Sequence, residues 1–264
     1  DEAQKAEWLP KLASGAVATL ALAEAHGDWE LSHIDATAKI DGDRLMLSGQ
    51  KHFVLWADTA DLIIASVRYD GEAAWVLLNR NDVQLTAMRR EKIIDETKRG
   101  IALSLEGISV PATALIKNAK LQAFTNAALL LQSAEMVGGT QAVIDYTLSY
   151  LQTRKQFGKL IGEYQALKHP MVDAYVAYEK ARSHLYSAAH CQSEQDRGTI
   201  AAHMVKAAAD KAYAFAADRA IQFHGGFGFT HDCDAGLHRR AAIFHASQHG
   251  DAAYHRTKLA DLLL

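Results

Sequence analysis

The sequence predicts an α+β protein, with a small antiparallel β-barrel domain over residues 1–118 and an antiparallel four-helix bundle domain over residues 119–264. The first observation is a series of short apolar runs over residues 34–110, separated by Asp, Gly and Asn turns. Such closely spaced strands are typical of a small barrel or sandwich. The second observation is that apolar residues recur at i, i+3 and i+4 after residue 119, which indicates long amphipathic helices.

The β domain is expected to begin with a short helical piece over residues 4–12, interrupted at Pro10. Ser14-Gly15 then breaks the pattern before a first strand over residues 17–22. Further strands are predicted from alternation or apolar runs over residues 43–49, 53–56, 62–67, 74–78 and 101–105. Pro111 closes the β pattern.

Four segments of the second domain show the helical period, and they cover residues 121–152, 164–189, 199–223 and 234–263. The breaks between them are short, and short connections favour antiparallel neighbours. The helical domain is therefore predicted to be an up-and-down bundle.

The composition excludes several classes of partner. Lys and Arg number 28 against 31 Asp and Glu, for a formal net charge of -3 and no basic tract, so we expect no nucleic-acid partner. No apolar run approaches the roughly 20 residues that span a bilayer, so we expect no membrane association. Cys191 and Cys233 cannot form a disulfide framework, and a reducing, cytoplasmic location is expected.

Two motifs carry the functional signal. Arg154-Lys155-Gln156-Phe157-Gly158 follows a long helix, and a guanidinium there suits a phosphate or pyrophosphate. Gln222-Phe223-His224-Gly225-Gly226-Phe227-Gly228-Phe229-Thr230 places glycines where a side chain would obstruct a ligand or another backbone. Taken singly, Arg154 reads as a solvated helix-end arginine and Gly225-Gly226 as a helix stop.

Taken together, and with Tyr150 four residues before Arg154, these motifs resemble the acyl-CoA dehydrogenase family, flavoproteins that oxidise acyl-CoA thioesters to 2-enoyl-CoA. The resemblance continues through residues 161–169 and runs back to residues 4–10, so it covers essentially the whole chain. It implies FAD as cofactor and an acyl-CoA as substrate. It also implies a helical domain of about a hundred residues before Gln4, which this sequence does not contain.

The resemblance implies a glutamate base at one of two places. Matching residues 240–248 to the family puts His249 at the first place, and counting back from Arg154 puts Ala128 at the second. Neither is a carboxylate. Glu135 lies about 10 Å further along the helix than Ala128 and is better interpreted as a polar helix residue or an internal ion-pair partner. His249 is thus the candidate catalytic residue, since an imidazole titrates near pH ~6.5, although a loop histidine is the plainer reading.

The β domain departs from the family as well. Ala23-Glu24-Ala25 stands where the family has Thr-Glu-Pro, and the Gly-Ser-Asp triplet that follows is missing. Phe53-Val54-Leu55 replaces the Trp-Ile-Thr that lies against the flavin, while Gly49-Gln50-Lys51 is retained. This chain therefore lacks most of the residues that the resemblance assigns to the flavin ring.

The other half of the shared cofactor site is retained. In family dimers the neighbouring subunit reaches the pyrophosphate and AMP end of FAD, and the matching residues here are Arg154, Phe157, Gln222, Gly225 and Gly226. The pattern resembles a partner subunit of a heteromeric acyl-CoA dehydrogenase, so a homo- or hetero-oligomer is expected. A self-sufficient enzyme using His249 and a non-enzymatic assembly subunit are the alternatives, and the acyl group stays open.

The chain has 13 histidines, and histidine is a common metal ligand, so a metal site is one interpretation of the sequence. His245 and His249 are four apart and could share a helix face, as a zinc pair does. No Glu lies between them in the usual place and no third ligand is evident, so no metal site is predicted.

Overall fold

The computed structural model describes residues 1–28, 30, 33–117 and 120–264. Backbone contacts divide the chain into two compact units, Asp1–Ile93 with Thr97–Lys120, and Ile94–Glu96 with Leu121–Leu264. The predicted domain boundary between residues 118 and 119 lies outside the described residues. Each unit has a hydrophobic core of its own.

The first unit begins with helix α1 (Glu2–Ala13), whose N-terminus is capped by the Asp1 carboxylate accepting from the Gln4 N–H. Pro10 lies inside this helix, so the expected interruption there was wrong. Proline removes one backbone donor, but packing holds the helix in place, because Trp8 is buried against Leu62 and Leu77.

Ten strands of the first unit form two sheets: β1 (Ala18–Ala21), β2 (Thr37–Asp41), β3 (Arg44–Ser48), β4 (Gln50–Leu55), β5 (Leu62–Tyr69), β6 (Glu72–Asn79), β7 (Met88–Glu91), β8 (Gly100–Ser104), β9 (Ser109–Pro111) and β10 (Leu115–Ile116). The larger sheet has the order β10-β6-β5-β2-β3-β9, and β1 also pairs with β5. The smaller sheet has the order β4-β8-β7. Inward-facing residues such as Leu45, Val54 and Leu103 are fully buried in a common core.

The expected antiparallel barrel is not found among the described residues. The larger sheet runs from β10 to β9 without closing, and β1 and β2 pair with β5 in parallel. The chain changes sheet at Gly49, between β3 and β4, with φ +111°. A Cβ there would lie 2.8 Å from the Ala36 Cα, so this tight crossing requires glycine. Because the chain passes at Gly49 from β3 in the larger sheet to β4 in the smaller sheet, the strands form two open sheets.

The second unit contains a short hairpin, β11 (Lys155–Gln156) with β12 (Lys159–Leu160), and the helices α2 (Leu121–Thr153), α3 (Gln165–Cys191), α4 (Gln195–His224), α5 (Ala235–Ser247) and α6 (Ala252–Leu263). The first three predicted helical segments are present. The fourth is divided into α5 and α6, because His249 and Gly250 between them have φ +56° and +96°. Left-handed residues cannot continue an α-helix.

The core of this unit joins α2, α3 and α4 through medium and small side chains, among them Met136, Val143, Ala174, Ala209 and Ala217. Alanines at the contact let helix backbones approach closely. The antiparallel direction of the helices stays a prediction. Within the described ranges, no helix combines the length and the apolar character that a membrane crossing needs.

Candidate functional site

A cleft of about 900 Å³ lies in the helical unit where α2 and α4 end. It is lined by the five residues predicted to bind the cofactor, which are Arg154, Phe157, Gln222, Gly225 and Gly226. The other lining residues are mostly apolar or aromatic: Tyr150, Gln156, Ile161, Tyr164, Ala166, Leu167, Phe223, His224 and Phe227. The fold thus brings both motifs to one cleft, and their role in binding stays a prediction.

The first motif forms the turn that follows α2. The Arg154 N–H donates to the Tyr150 carbonyl oxygen at 2.9 Å and so extends the last helical turn. Phe157 and Gly158 then connect β11 to β12 with φ +52° and +83°, the signs that a type I′ hairpin turn requires. As a result the Phe157 side chain is 92% exposed beside the cleft.

The glycines of the second motif differ in what they do. Gly225 has φ +62° and its N–H donates to the Gln222 carbonyl oxygen, so it ends α4 as a helix-stop glycine. A Cβ on Gly228 would overlap the carbonyl oxygen of Ile221. A Cβ on Gly226 would meet no protein atom within 4 Å. Gly225 and Gly228 are therefore required by the fold, whereas Gly226 leaves open space.

The charge in the cleft comes from Arg154. Its side chain is exposed, and the described residues place no carboxylate within ion-pair distance of it. Burial lowers the pKa of His224 and so favours the neutral ring, while the Ala220 carbonyl oxygen, 2.8 Å from its Nδ1, acts in the opposite direction. That ring stacks on Tyr146 and Tyr150 at centroid distances of 4.8 and 4.3 Å. Arg154, Tyr150 and His224 line the same cleft, and a guanidinium together with stacked rings suits a phosphate joined to a flat ring.

His224 is a residue of this site whose role the sequence did not predict. Its Nε2 is buried and has no hydrogen-bond partner within the described residues. The signal available in the sequence was its position directly before Gly225-Gly226, but the stacking on Tyr146 depends on the packing of α2 against α4.

His249, the candidate base, is not among the residues that line the cleft. It lies in the connection between α5 and α6, and burial together with the nearby Lys206 ammonium lowers its pKa to about 4. Ala128, at the other base position, lies within α2. Glu135 lies 3.3 Å from the Nε2 of His245, in the manner of an ion-pair partner.

The residues matched to the flavin side of the family pattern form contacts within the β unit. Lys51 is fully buried, and its Nζ donates to Glu24 Oε1 at 2.5 Å. Phe53 has φ +52°, and its N–H donates to Glu91 Oε2 at 2.7 Å. Leu55 accepts a hydrogen bond at its carbonyl oxygen from Thr19. In the Gly49-Gln50-Lys51 segment, the Lys51 side chain therefore has a structural role as the buried partner of Glu24.

His245 and His249 do not share a helix face, because His245 lies in α5 and His249 lies beyond its end in a left-handed conformation. In the part of the chain that the structure describes, Glu24, His26 and Asp35 form a group of three metal-type donors. The sequence analysis missed this group, although Glu24 and His26 are only two residues apart. Glu24 already pairs with Lys51 and also accepts from the Asp35 N–H at 2.7 Å. These contacts explain the position of the Glu24 carboxylate without a metal ion.

The family model for the C-terminal domain of acyl-CoA dehydrogenases matches residues 119–264, which are the residues that form the cleft and the helices around it. The chain belongs to the acyl-CoA dehydrogenase family. The resemblance carried by the two motifs is thereby confirmed at the level of the family.

Two curated acyl-CoA dehydrogenases illustrate the similarity. The short/branched chain specific acyl-CoA dehydrogenase of Rattus norvegicus is 27% identical over 88% of this chain and 56% of its own length. The isovaleryl-CoA dehydrogenase of Pongo abelii is 27% identical over 92% of this chain and 60% of its own length. The chain therefore spans less than two thirds of these relatives.

The solved structure of butyryl-CoA dehydrogenase from Megasphaera elsdenii shows the same fold. It superposes with a TM-score of 0.91 at 22% identity, over 100% of this chain and 73% of the other. The α+β architecture of two open sheets and long helices is thus that of an acyl-CoA dehydrogenase.

Proposed function

We propose that this chain is an acyl-CoA dehydrogenase-like flavoprotein subunit. It shares FAD across a subunit interface and works in the α,β-dehydrogenation of an acyl-CoA thioester, and the base comes from a partner chain. The observation that carries the proposal is an asymmetry. Arg154 in the cleft has no carboxylate partner among the described residues and Gly226 has an open face, whereas positions 249 and 128 hold no carboxylate.

The cleft residues fit the pyrophosphate and AMP end of FAD. Arg154 has no competing carboxylate among the described residues and offers a fork of donors to phosphate oxygens. The chain's own packing does not require glycine at position 226, and close approach of a ligand supplies a reason for it. Phe157 and Gln222 would flank the same group. When bound, FAD supplies the acceptor for the hydride.

Removal of the α-proton needs a base whose pKa lies near the operating pH. The pKa of His249 is lowered to about 4 by burial and by Lys206, so at pH 7 its imidazole is neutral but weakly basic. Ala128 cannot take a proton. This supports a base from another chain over a self-sufficient enzyme that uses His249.

The test is the visible spectrum of the purified chain, alone and after co-expression with a second acyl-CoA dehydrogenase chain that carries the glutamate. We expect colourless protein alone, and yellow protein that an acyl-CoA bleaches when the partner is present. Yellow protein from the chain alone, bleached by an acyl-CoA, would establish a self-sufficient enzyme. Partner binding without flavin would establish an assembly subunit.

Arg154→Ala tests the cleft directly. We expect the dissociation constant of flavin from the co-purified complex to increase about tenfold or more, with flavin lost on dilution, because removing a charge-assisted phosphate contact costs about 1.5–3 kcal/mol. The matched control is Arg197→Ala, an exposed arginine paired with Glu194 in the first turn of α4, whereas Gln222 is near the end of that helix. Equal flavin content in both variants would show that Arg154 does not hold the cofactor.

A further inference from the structure

Outside the cleft, a second group of polar side chains is buried between α4 and the residues around α6. His203, Lys206 and Asp210 follow one another at i, i+3 and i+7, so they share one face of α4. Their exposed fractions are 6%, 0% and 8%. An ionisable face this deeply buried needs specific partners, because an unpaired charge in the interior is costly.

The partner of this face is the connection between α5 and α6, which contains His249. The Gly250 carbonyl oxygen accepts two hydrogen bonds, from Lys206 Nζ at 2.9 Å and from His255 Nε2 at 3.2 Å. Because a carbonyl can only accept, Nε2 of His255 carries the proton. Its Nδ1 is then an acceptor in the neutral ring, and His203 Nδ1 donates to it at 2.8 Å.

The backbone on both sides of Gly250 is also held. Asp210 Oδ2 accepts from the Ala252 N–H at 2.9 Å, and the Asp251 carboxylate caps α6. His249 and Gly250 have φ +56° and +96°, and a Cβ on Gly250 would overlap the ring of Tyr254. A histidine in the left-handed region persists only where its surroundings hold it there.

We propose that Lys206 and His255 form a clamp on the Gly250 carbonyl oxygen, supported by His203, and that this clamp positions residue 249. Lys206 contacts the loop backbone, so it is a positioning residue. The contribution of residue 249 to dehydrogenation rests on the proposed function, whereas the clamp rests on the hydrogen bonds alone. The sequence does not indicate the clamp, because a lysine inside an amphipathic helix is ordinarily interpreted as a solvent-exposed side chain.

The clamp also sets the charge around His249. The ionisable groups at the loop are Lys206 and Asp210 from α4, Asp251 in the loop, and His255 with His203 behind it. Burial lowers the pKa of Lys206 to about 8, with Asp210 and Asp251 opposing the change. At pH 7 Lys206 is therefore mostly protonated, and its charge disfavours an imidazolium at position 249.

The first experiment is a proton NMR titration of His249 in the full chain and in Lys206→Met, which replaces the buried lysine with an uncharged side chain of similar length. Removing the ammonium removes a repulsion, so we expect the pKa of His249 to rise by about one pH unit or more while staying below 6.5. The control is Lys211→Met, at an exposed lysine of the same helix, which should leave the titration unchanged. An unchanged His249 pKa in folded Lys206→Met would overturn the clamp.

The second experiment measures hydrogen exchange of the amides over residues 248–253. His255→Leu removes the donor to Gly250 and should speed exchange in this segment about tenfold, whereas His255→Gln keeps an N–H donor and should restore protection. Equal exchange in both variants would contradict the clamp. Neither readout needs flavin or a partner chain, so a failure of the proposed function would leave both results unaffected.

Discussion

At the scale of single residues, the Glu24–Lys51 pair is an ion pair buried inside the β unit. Lys51 has 0% exposure, and Glu24 also accepts from the N–H groups of Asp35 and Ala36. Burial alone would raise the pKa of Glu24, but the ammonium and the two N–H donors outweigh it, so the net effect is a lowered pKa. Burial lowers the pKa of Lys51 as well, and its hydrogen bond to Glu24 opposes that change.

Glu24→Gln should destabilise the chain by about 3–5 kcal/mol, because it leaves the Lys51 ammonium buried without a counter-charge. The double variant Glu24→Gln/Lys51→Met should recover most of that loss, since the glutamine oxygen still accepts from the backbone and no charge remains buried. Urea unfolding of the three proteins measures both effects. A double variant as unstable as the single one would show that the ion pair is not the reason.

At the scale of elements, the turn after α4 contains two glycines that the fold requires and one that it does not. Gly225 ends the helix, and Gly228 lies against the Ile221 carbonyl, whereas Gly226 has open space on its Cβ side. The motif is one stretch of sequence, yet its glycines have different structural roles: Gly225 ends a helix, Gly228 avoids a steric overlap, and Gly226 faces open space. The structure is needed to tell them apart.

Gly228→Ala should cost about 1–3 kcal/mol of stability, because the new methyl group overlaps backbone that cannot move aside cheaply. Gly226→Ala should change stability by no more than about 0.5 kcal/mol. It should instead reduce the flavin content of the co-expressed complex. Thermal unfolding and flavin absorbance distinguish the two variants, and a stable Gly228→Ala would contradict the packing argument.

At the scale of the whole molecule, buried neutral histidines make stability depend on pH. Burial, Lys206 and His203 lower the pKa of His255 to about 3, and burial and Lys206 lower that of His249 to about 4. Between these values and the ordinary value near ~6.5, the unfolded chain binds more protons than the folded one. Stability should therefore increase with pH across this window.

The free energy of unfolding should increase by a few kcal/mol from pH 4.5 to about pH 7 and then level off, because the histidines of the unfolded chain are half protonated near pH ~6.5 and mostly neutral above about pH 7.5. Urea titrations at pH 4.5, 5.5, 6.5 and 7.5 measure the slope. His255→Gln should reduce it, since that variant has one buried imidazole fewer. The same slope in His255→Gln would place the acid sensitivity in other histidines whose pKa is lowered by burial, such as His249, His224 and His238.

The sequence by itself determined the α+β class, most of the strand and helix segments, and the family, because hydrophobic period and turn residues are local signals and the two motifs are contiguous. It predicted that Arg154, Gln222 and Gly226 bind the cofactor; the structure brings these residues together at one cleft, and their binding role stays a prediction. Only the tertiary structure decided that the sheets stay open at Gly49, that the fourth helix breaks at His249, and that Lys206 is buried. Each of these depends on contacts between segments far apart in the chain, such as Ala36 against Gly49 and α4 against Gly250.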